Sequence, residues 1–119
     1  MNGDYVLKIA VIGSRSIEKF NLDKFLPDGI CEIISGGARG VDTLAAQYAR
    51  ERGIPLRVYS PDYRQHGKRA PIIRNRTIVD ECDVLFAFWD GISTGTAYTV
   101  KYAHQKGKPI KLFRLKGEI

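Results

Sequence analysis

The 119-residue chain predicts a doubly wound α/β domain: five short apolar runs alternate with helical patterns, and glycine-rich turns follow three of those runs. Parallel neighbours need a long crossover, and crossovers in one sheet share a hand, so strand-helix alternation implies a parallel sheet covered on both faces. The length supports one hydrophobic core, which makes 1–119 a single domain.

The first strand is expected over Val6–Ile12, a β-branched run closed by Gly13. Similar runs recur at Cys31–Ser35, Leu56–Tyr59, Val84–Trp89 and Ile110–Leu115. Between them, Ser16–Phe25 reads as a weaker helix ending before Pro27. Val41–Arg52 reads as the clearest one, with Val41, Leu44, Ala45 and Tyr48 on one face and Gly53 as its stop. A further helix is expected from Pro71 toward Glu81, proline being favoured in the first turn. The last spans Thr96–Gln105 and is expected to bury Ala97, Val100 and His104 while Tyr98 and Tyr102 face outward. Ser60–Arg69 reads as a long polar loop.

Composition narrows the class of protein. There is no low-complexity tract and no apolar run long enough to cross a bilayer, and Met1-Asn2-Gly3-Asp4 lacks the features of a signal peptide, so a cytoplasmic protein without a membrane partner is expected. Cys31 and Cys82 have no CxxC or Cys/His spacing and read as buried reduced thiols. His66 and His104 lack a metal-ligand partner at helical spacing, so neither a metal nor a cofactor is expected. The formal charge of +6 suits polyanions or nucleotides. Its cations gather in two groups: Arg57, Arg64, Lys68, Arg69, Arg74 and Arg76, with Asp62 as the opposing charge among them, and Lys106, Lys108, Lys111, Arg114 and Lys116. Both groups also fit an ordinary solvated surface.

In a doubly wound sheet the ligand sits beyond the carboxyl ends of the strands, where strand order reverses. Three loops meet that description: Gly13-Ser14-Arg15, Gly36-Gly37-Ala38-Arg39-Gly40, and Asp90-Gly91-Ile92-Ser93-Thr94-Gly95-Thr96. If strands one, two and four carry the site, strand one lies between two and four, and the order is 3-2-1-4-5. Glycine lets backbone N–H groups approach an oxyanion, and the helix behind each loop adds unpaired donors and partial positive charge. Arg15 and Arg39 would add charged hydrogen bonds. Tight turns need glycine for geometry alone, so the convergence of three loops carries the phosphate reading, not any single one. Neither GxGxxG nor GxxxxGK[ST] is present, which argues against a dehydrogenase or a P-loop NTPase.

Arg74-Asn75-Arg76 stands at the opening of the helix before strand four and could reach a phosphate or ribose, or form a solvated basic turn. Trp89 could stack on a base or cap the core. Asp42 and Asp90 border the expected pocket and are the weak catalytic candidates.

Ile34-Ser35-Gly36-Gly37-Ala38-Arg39-Gly40-Val41-Asp42, Arg74-Asn75-Arg76 and the strand and turn from Asp83 to Thr96 together resemble the SLOG superfamily, nearest its cpYpsA-related branch, over Val11–Pro109. The resemblance implies a Rossmann-like domain that binds a nucleotide or nucleotide derivative as sensor, carrier or small enzyme. The related DNA-processing protein A family has a similar loop and Arg-Asn-Arg turn and binds single-stranded DNA, which keeps nucleic acid as an alternative partner. The Lonely Guy phosphoribohydrolases carry Pro-Gly-Gly-x-Gly-Thr-x-x-Glu and cleave N-glycosidic bonds, which keeps nucleotide hydrolysis as another. Here Gly95-Thr96-Ala97-Tyr98-Thr99 retains Gly-Thr but places Thr99 at the glutamate position, and a hydroxyl cannot replace that carboxylate. A nucleotide-binding module without hydrolase activity is therefore the expectation. A homo-oligomer built on the outward Tyr98 and Tyr102 is expected as well.

Overall fold

A computed structural model describes residues 7–115. The expectations on Met1–Asp4, Val6 and Lys116 fall outside that range. Five strands, β1 (Leu7–Gly13), β2 (Ile30–Ser35), β3 (Leu56–Val58), β4 (Val84–Trp89) and β5 (Ile110–Arg114), form one sheet in the order 3-2-1-4-5, with every neighbouring pair parallel. This is the expected Rossmann-like doubly wound arrangement, and β1 lies at its centre.

Side chains alternate across a strand, and that alternation divides the core. Ile9 and Val11 of β1 point to the face covered by α1 (Val41–Arg52), joining Ile33, Val41, Ala45 and Phe88. Ala10 and Ile12 point to the face covered by α3 (Ala70–Glu81) and α4 (Thr94–Gln105), joining Ile34, Ile78, Val79, Leu85, Ala87 and Ala103. Burial on both faces explains why β1 and β4 read as nearly continuous apolar runs.

The segment after β1 departs from expectation. Ser16–Phe25 forms no α-helix and contains only a 3-10 turn at Leu22–Lys24, with the Asn21 side chain accepting from the Asp23 N–H at its start. Phe20 and Phe25, five apart, do not share a helical face, yet both pack on Phe88 with ring centroids 4.9 and 5.4 Å away. Aromatic packing outweighs the weak helical pattern. The expected loop at Ser60–Arg69 contains the short helix α2 (Tyr63–His66), whose start Asp62 caps through the Gln65 N–H, and a 3-10 turn at Gly67–Arg69.

Two helices sit differently from their sequence reading. Arg74–Arg76 lies well inside α3, which begins at Ala70 and so places these residues beyond the orphan N–H groups of its start. On α4 the buried residues are Thr96, Thr99 and Ala103, while Ala97 and His104 are exposed and Val100 is half-buried. A hydropathy reading selects alanine and valine over threonine, but both threonine hydroxyls find hydrogen bonds within or beside the helix and can face the sheet. Tyr98 and Tyr102 consequently turn toward α3: Arg76 Nε donates to the Tyr98 hydroxyl at 2.8 Å, and the Tyr102 hydroxyl donates to Asp80 at 2.9 Å. The outward tyrosine face expected for self-association is therefore not formed. Both cysteines are free thiols, Cys82 buried but Cys31 only partly so. No helix among the described residues is long and apolar enough to cross a membrane.

Candidate functional site

Three loops at the carboxyl ends of β1, β2 and β4 surround a cavity of about 370 Å³, with α3 as its fourth wall. Its lining includes Gly13, Arg15, Gly36, Ala38, Asp42, Arg74, Asn75, Asp90, Ser93, Gly95 and Thr96, all singled out from sequence, together with Ile12, Ser16 and Pro71, which were not. Ser14, Gly37, Arg39, Gly40, Trp89, Gly91 and Thr94 do not line it.

Several of these non-lining residues hold the walls together. The Ser14 hydroxyl accepts from the Asp90 N–H at 3.1 Å and ties the β1 loop to the β4 loop. At Gly40 the chain has φ +79°, and an added Cβ would lie 2.7 Å from the Arg15 carbonyl oxygen and 2.8 Å from that of Ser14. Only glycine lets the β2 loop rest against the β1 loop there. Arg39 is exposed outside the cavity. Trp89 donates its indole N–H to the Ser93 carbonyl at 2.9 Å and lines a separate apolar groove with Ala97, Val100, Ile110 and Leu112.

Asp90 is committed to loop closure. Its Oδ1 accepts from the N–H groups of Ile92 and Ser93, both at 2.8 Å, and its Oδ2 accepts from the Ser16 hydroxyl at 2.7 Å. These donors, the Ser16 hydroxyl foremost, hold its pKa down to about 2. A carboxylate so stabilised is a weak base. Behind it, Ser93 caps α4 and leaves the first turn of a 12-residue helix, with Gly95 in it, facing the cavity. The open N–H groups and partial positive charge of such a start suit an anion.

The opposite wall has a different character. Arg74 Nη1 donates to the Gly36 carbonyl at 2.5 Å and to the Tyr59 carbonyl at 3.2 Å, and its Nε donates to Asn75 Oδ1 at 2.7 Å. Asn75 Nδ2 donates onward to the Thr99 hydroxyl at 2.9 Å, which donates to the Gly95 carbonyl at 2.8 Å. This chain of bonds couples the β2 loop to the start of α4 through α3. Thr99, fully buried, spends its hydroxyl within it.

Asp42, the second residue of α1, is 8% exposed; its Oδ2 accepts from the Ala38 N–H at 2.9 Å. Its Oδ1 and the Ser35 hydroxyl are both buried, and the Ser35 hydroxyl is a donor beside the carboxylate. Burial raises the Asp42 pKa above the usual 3.8, against the pull of Ala38, Ser35, Arg74 and Arg15 toward the ionised form. Sequence reasoning missed Ser16 and Ser35. Both are small hydroxyl residues beside glycines, and neither stands out until the loops close on one another.

Comparison with curated proteins and with solved structures finds no significant match. The family model for the YspA, cpYpsA-related SLOG family matches residues 7–66, which includes the β1 and β2 loops and Asp42 and ends before Arg74–Arg76 and the β4 loop. Half of the chain is matched, and the remainder continues the same sheet in the order the first half begins. The chain belongs to the YspA, cpYpsA-related SLOG family.

Proposed function

We propose that this domain is a binding module for a nucleotide or nucleotide-derived small molecule, held chiefly by its phosphate. Family membership suggests nucleotide-related binding or processing. The observation that carries the reading is the meeting, in one cavity, of the α4 start at Gly95-Thr96, the exposed Arg15 guanidinium and the β2 glycine loop. Backbone donors, a helix N-terminus and an arginine converging on one space make an anion site, and about 370 Å³ falls within the range of small-ligand pockets.

Binding without N-glycosidic hydrolysis is the form of the proposal. Thr99 occupies the position of the phosphoribohydrolase glutamate and is enclosed by Asn75 and Gly95, while Asp90 is held by its own loop. The nucleic-acid alternative draws on the exposed cations Arg64, Lys68 and Arg69. Tyr63 stands exposed next to Arg64, whereas Trp89 lies outside the cavity with its N–H engaged.

The test is calorimetry with AMP and ADP-ribose on the native protein and on Arg15→Ala. Saturable binding that weakens about tenfold or more in the variant is expected from the loss of a charged hydrogen bond. Absence of saturable binding by either nucleotide at millimolar concentration overturns the reading.

A further inference from the structure

Away from the cavity, α4 and β5 enclose a second concave space of about 380 Å³. Trp89, Ala97, Val100, Ile110 and Leu112 form its apolar walls, and Lys101 and His104 stand on its helix side. Ala97, Val100, Lys101 and His104 follow the i, i+3, i+4, i+7 spacing of a single helix face. The sheet supplies the opposite wall. Register sets Ile110 beside Leu85 and Leu112 beside Ala87, so both project from the sheet face that α4 covers. The helix pattern marks Ala97 and Val100 for burial, yet Ala97 and Leu112 are exposed and Val100, Ile110 and Trp89 only half-buried. β5 is an edge strand, so among the described residues no further strand covers Leu112. The Trp89 indole is held by its bond to the Ser93 carbonyl, which makes this wall preformed.

Size and charge indicate what fits. Five apolar side chains fall well short of the about 800 Å² per partner that a stable protein interface buries, while the volume lies within the range of about 300–1,000 Å³ for small-ligand pockets. No carboxylate lines the space, and Lys101 makes no ion pair among the described residues. Its neighbours are engaged elsewhere, Lys106 over the Tyr102 ring and Lys108 on the Asp80 and Cys82 carbonyls. A molecule with an apolar body and one anionic end matches these walls. Its body loses water against Trp89 and Leu112 while the anion stays at the wet rim beside Lys101.

We infer that the groove between α4 and β5 is a second binding site, taking a small amphipathic carboxylate whose hydrocarbon part lies on Trp89 and Leu112 and whose carboxylate meets Lys101. It shares no lining residue with the phosphate cavity, so it stands or falls independently of nucleotide binding.

Trp89 is the single tryptophan of the chain, so its emission reports on this groove directly. The test is a titration of the native protein with octanoate, with 1-octanol and acetate as controls. Octanoate is expected to change the emission saturably with a Kd of about 1 mM or tighter, and acetate to leave it unchanged. 1-Octanol should bind about two- to fivefold more weakly, the scale of one exposed ion pair. Leu112→Ser should weaken octanoate about tenfold through lost apolar contact, and Lys101→Gln should make octanoate and 1-octanol bind alike. Both side chains are exposed, so both variants should melt as the native protein does. Absence of saturation by octanoate, the same titration with acetate, octanoate binding unchanged in Leu112→Ser, or 1-octanol binding the native protein as tightly as octanoate each overturns the inference. Should a variant fail to fold, the comparison of the three ligands on native protein still decides.

Discussion

Gly95→Ala should stabilise the free protein and weaken its ligand binding, and these opposite signs make it a sharp test of the α4 start. Gly95 is the second residue of α4, has no positive φ, and an added Cβ would meet nothing within 4 Å. The fold therefore imposes no steric reason for glycine. A compatible Gly→Ala change stabilises by about 0.4–1 kcal/mol, mainly by restricting the unfolded chain. With an unfolding entropy of about 2.1 cal/mol/K per residue, that corresponds to a rise in Tm of about 2–4 °C for a chain of this length. Glycine at this lining position instead leaves the backbone N–H groups open to close approach by an oxyanion. A methyl group there should hold phosphate off and cost about tenfold or more in affinity. Thermal melts without ligand and calorimetry with AMP measure the two effects. A higher Tm with unchanged affinity would show that α4 does not touch the phosphate. A lower Tm would refute the steric argument itself.

Gly40→Ala should behave oppositely, losing about 3 kcal/mol or more in denaturant unfolding, because it combines a positive φ with contact against two backbone carbonyls. Thr99→Val removes the hydroxyl that links Asn75 to Gly95 and should cost about 1–3 kcal/mol by leaving the Asn75 amide without its acceptor; an unchanged melt would show that the link carries no stability. Native protein incubated with AMP should release no free base by chromatography, and turnover abolished in Asp90→Asn would make Asp90 a catalytic carboxylate. Because the folded pKa of Asp90 lies near 2, below the unfolded value of about 3.9, its contribution to stability is complete above about pH 4 and drains as pH falls toward 2. Acid melts of Asp90→Asn should lose that part of the slope. Asp42 works the other way: its raised pKa means that stability declines as pH climbs from the usual 3.8 through the folded value, so Asp42→Asn should gain relative stability above that window.

The sequence by itself determined the class of fold and the edge of the sheet at which the cavity lies. Continuous apolar runs such as Val84–Trp89, separated by helical patterns, leave few arrangements other than a parallel doubly wound sheet, and the glycine loops after β1, β2 and β4 place those strands side by side. Period and turn chemistry are local properties, so they can be read from the chain. What only the tertiary structure decided was which side chains face the cavity. Arg39 and Arg15 follow similar glycines, yet one points to solvent and the other lines the pocket. Trp89 closes its own loop onto Ser93, Thr99 is buried despite its hydroxyl, and Phe20 and Phe25 stack on Phe88 where a helix pattern was expected. The last two outcomes depend on a partner distant in sequence, Asn75 for Thr99 and Phe88 for the phenylalanines. Asp42 is the plainest case, because a cap residue early in a helix is legible in sequence, while the burial of its carboxylate beside Ser35 and Arg74 exists only once α1, α3 and the β2 loop have packed together.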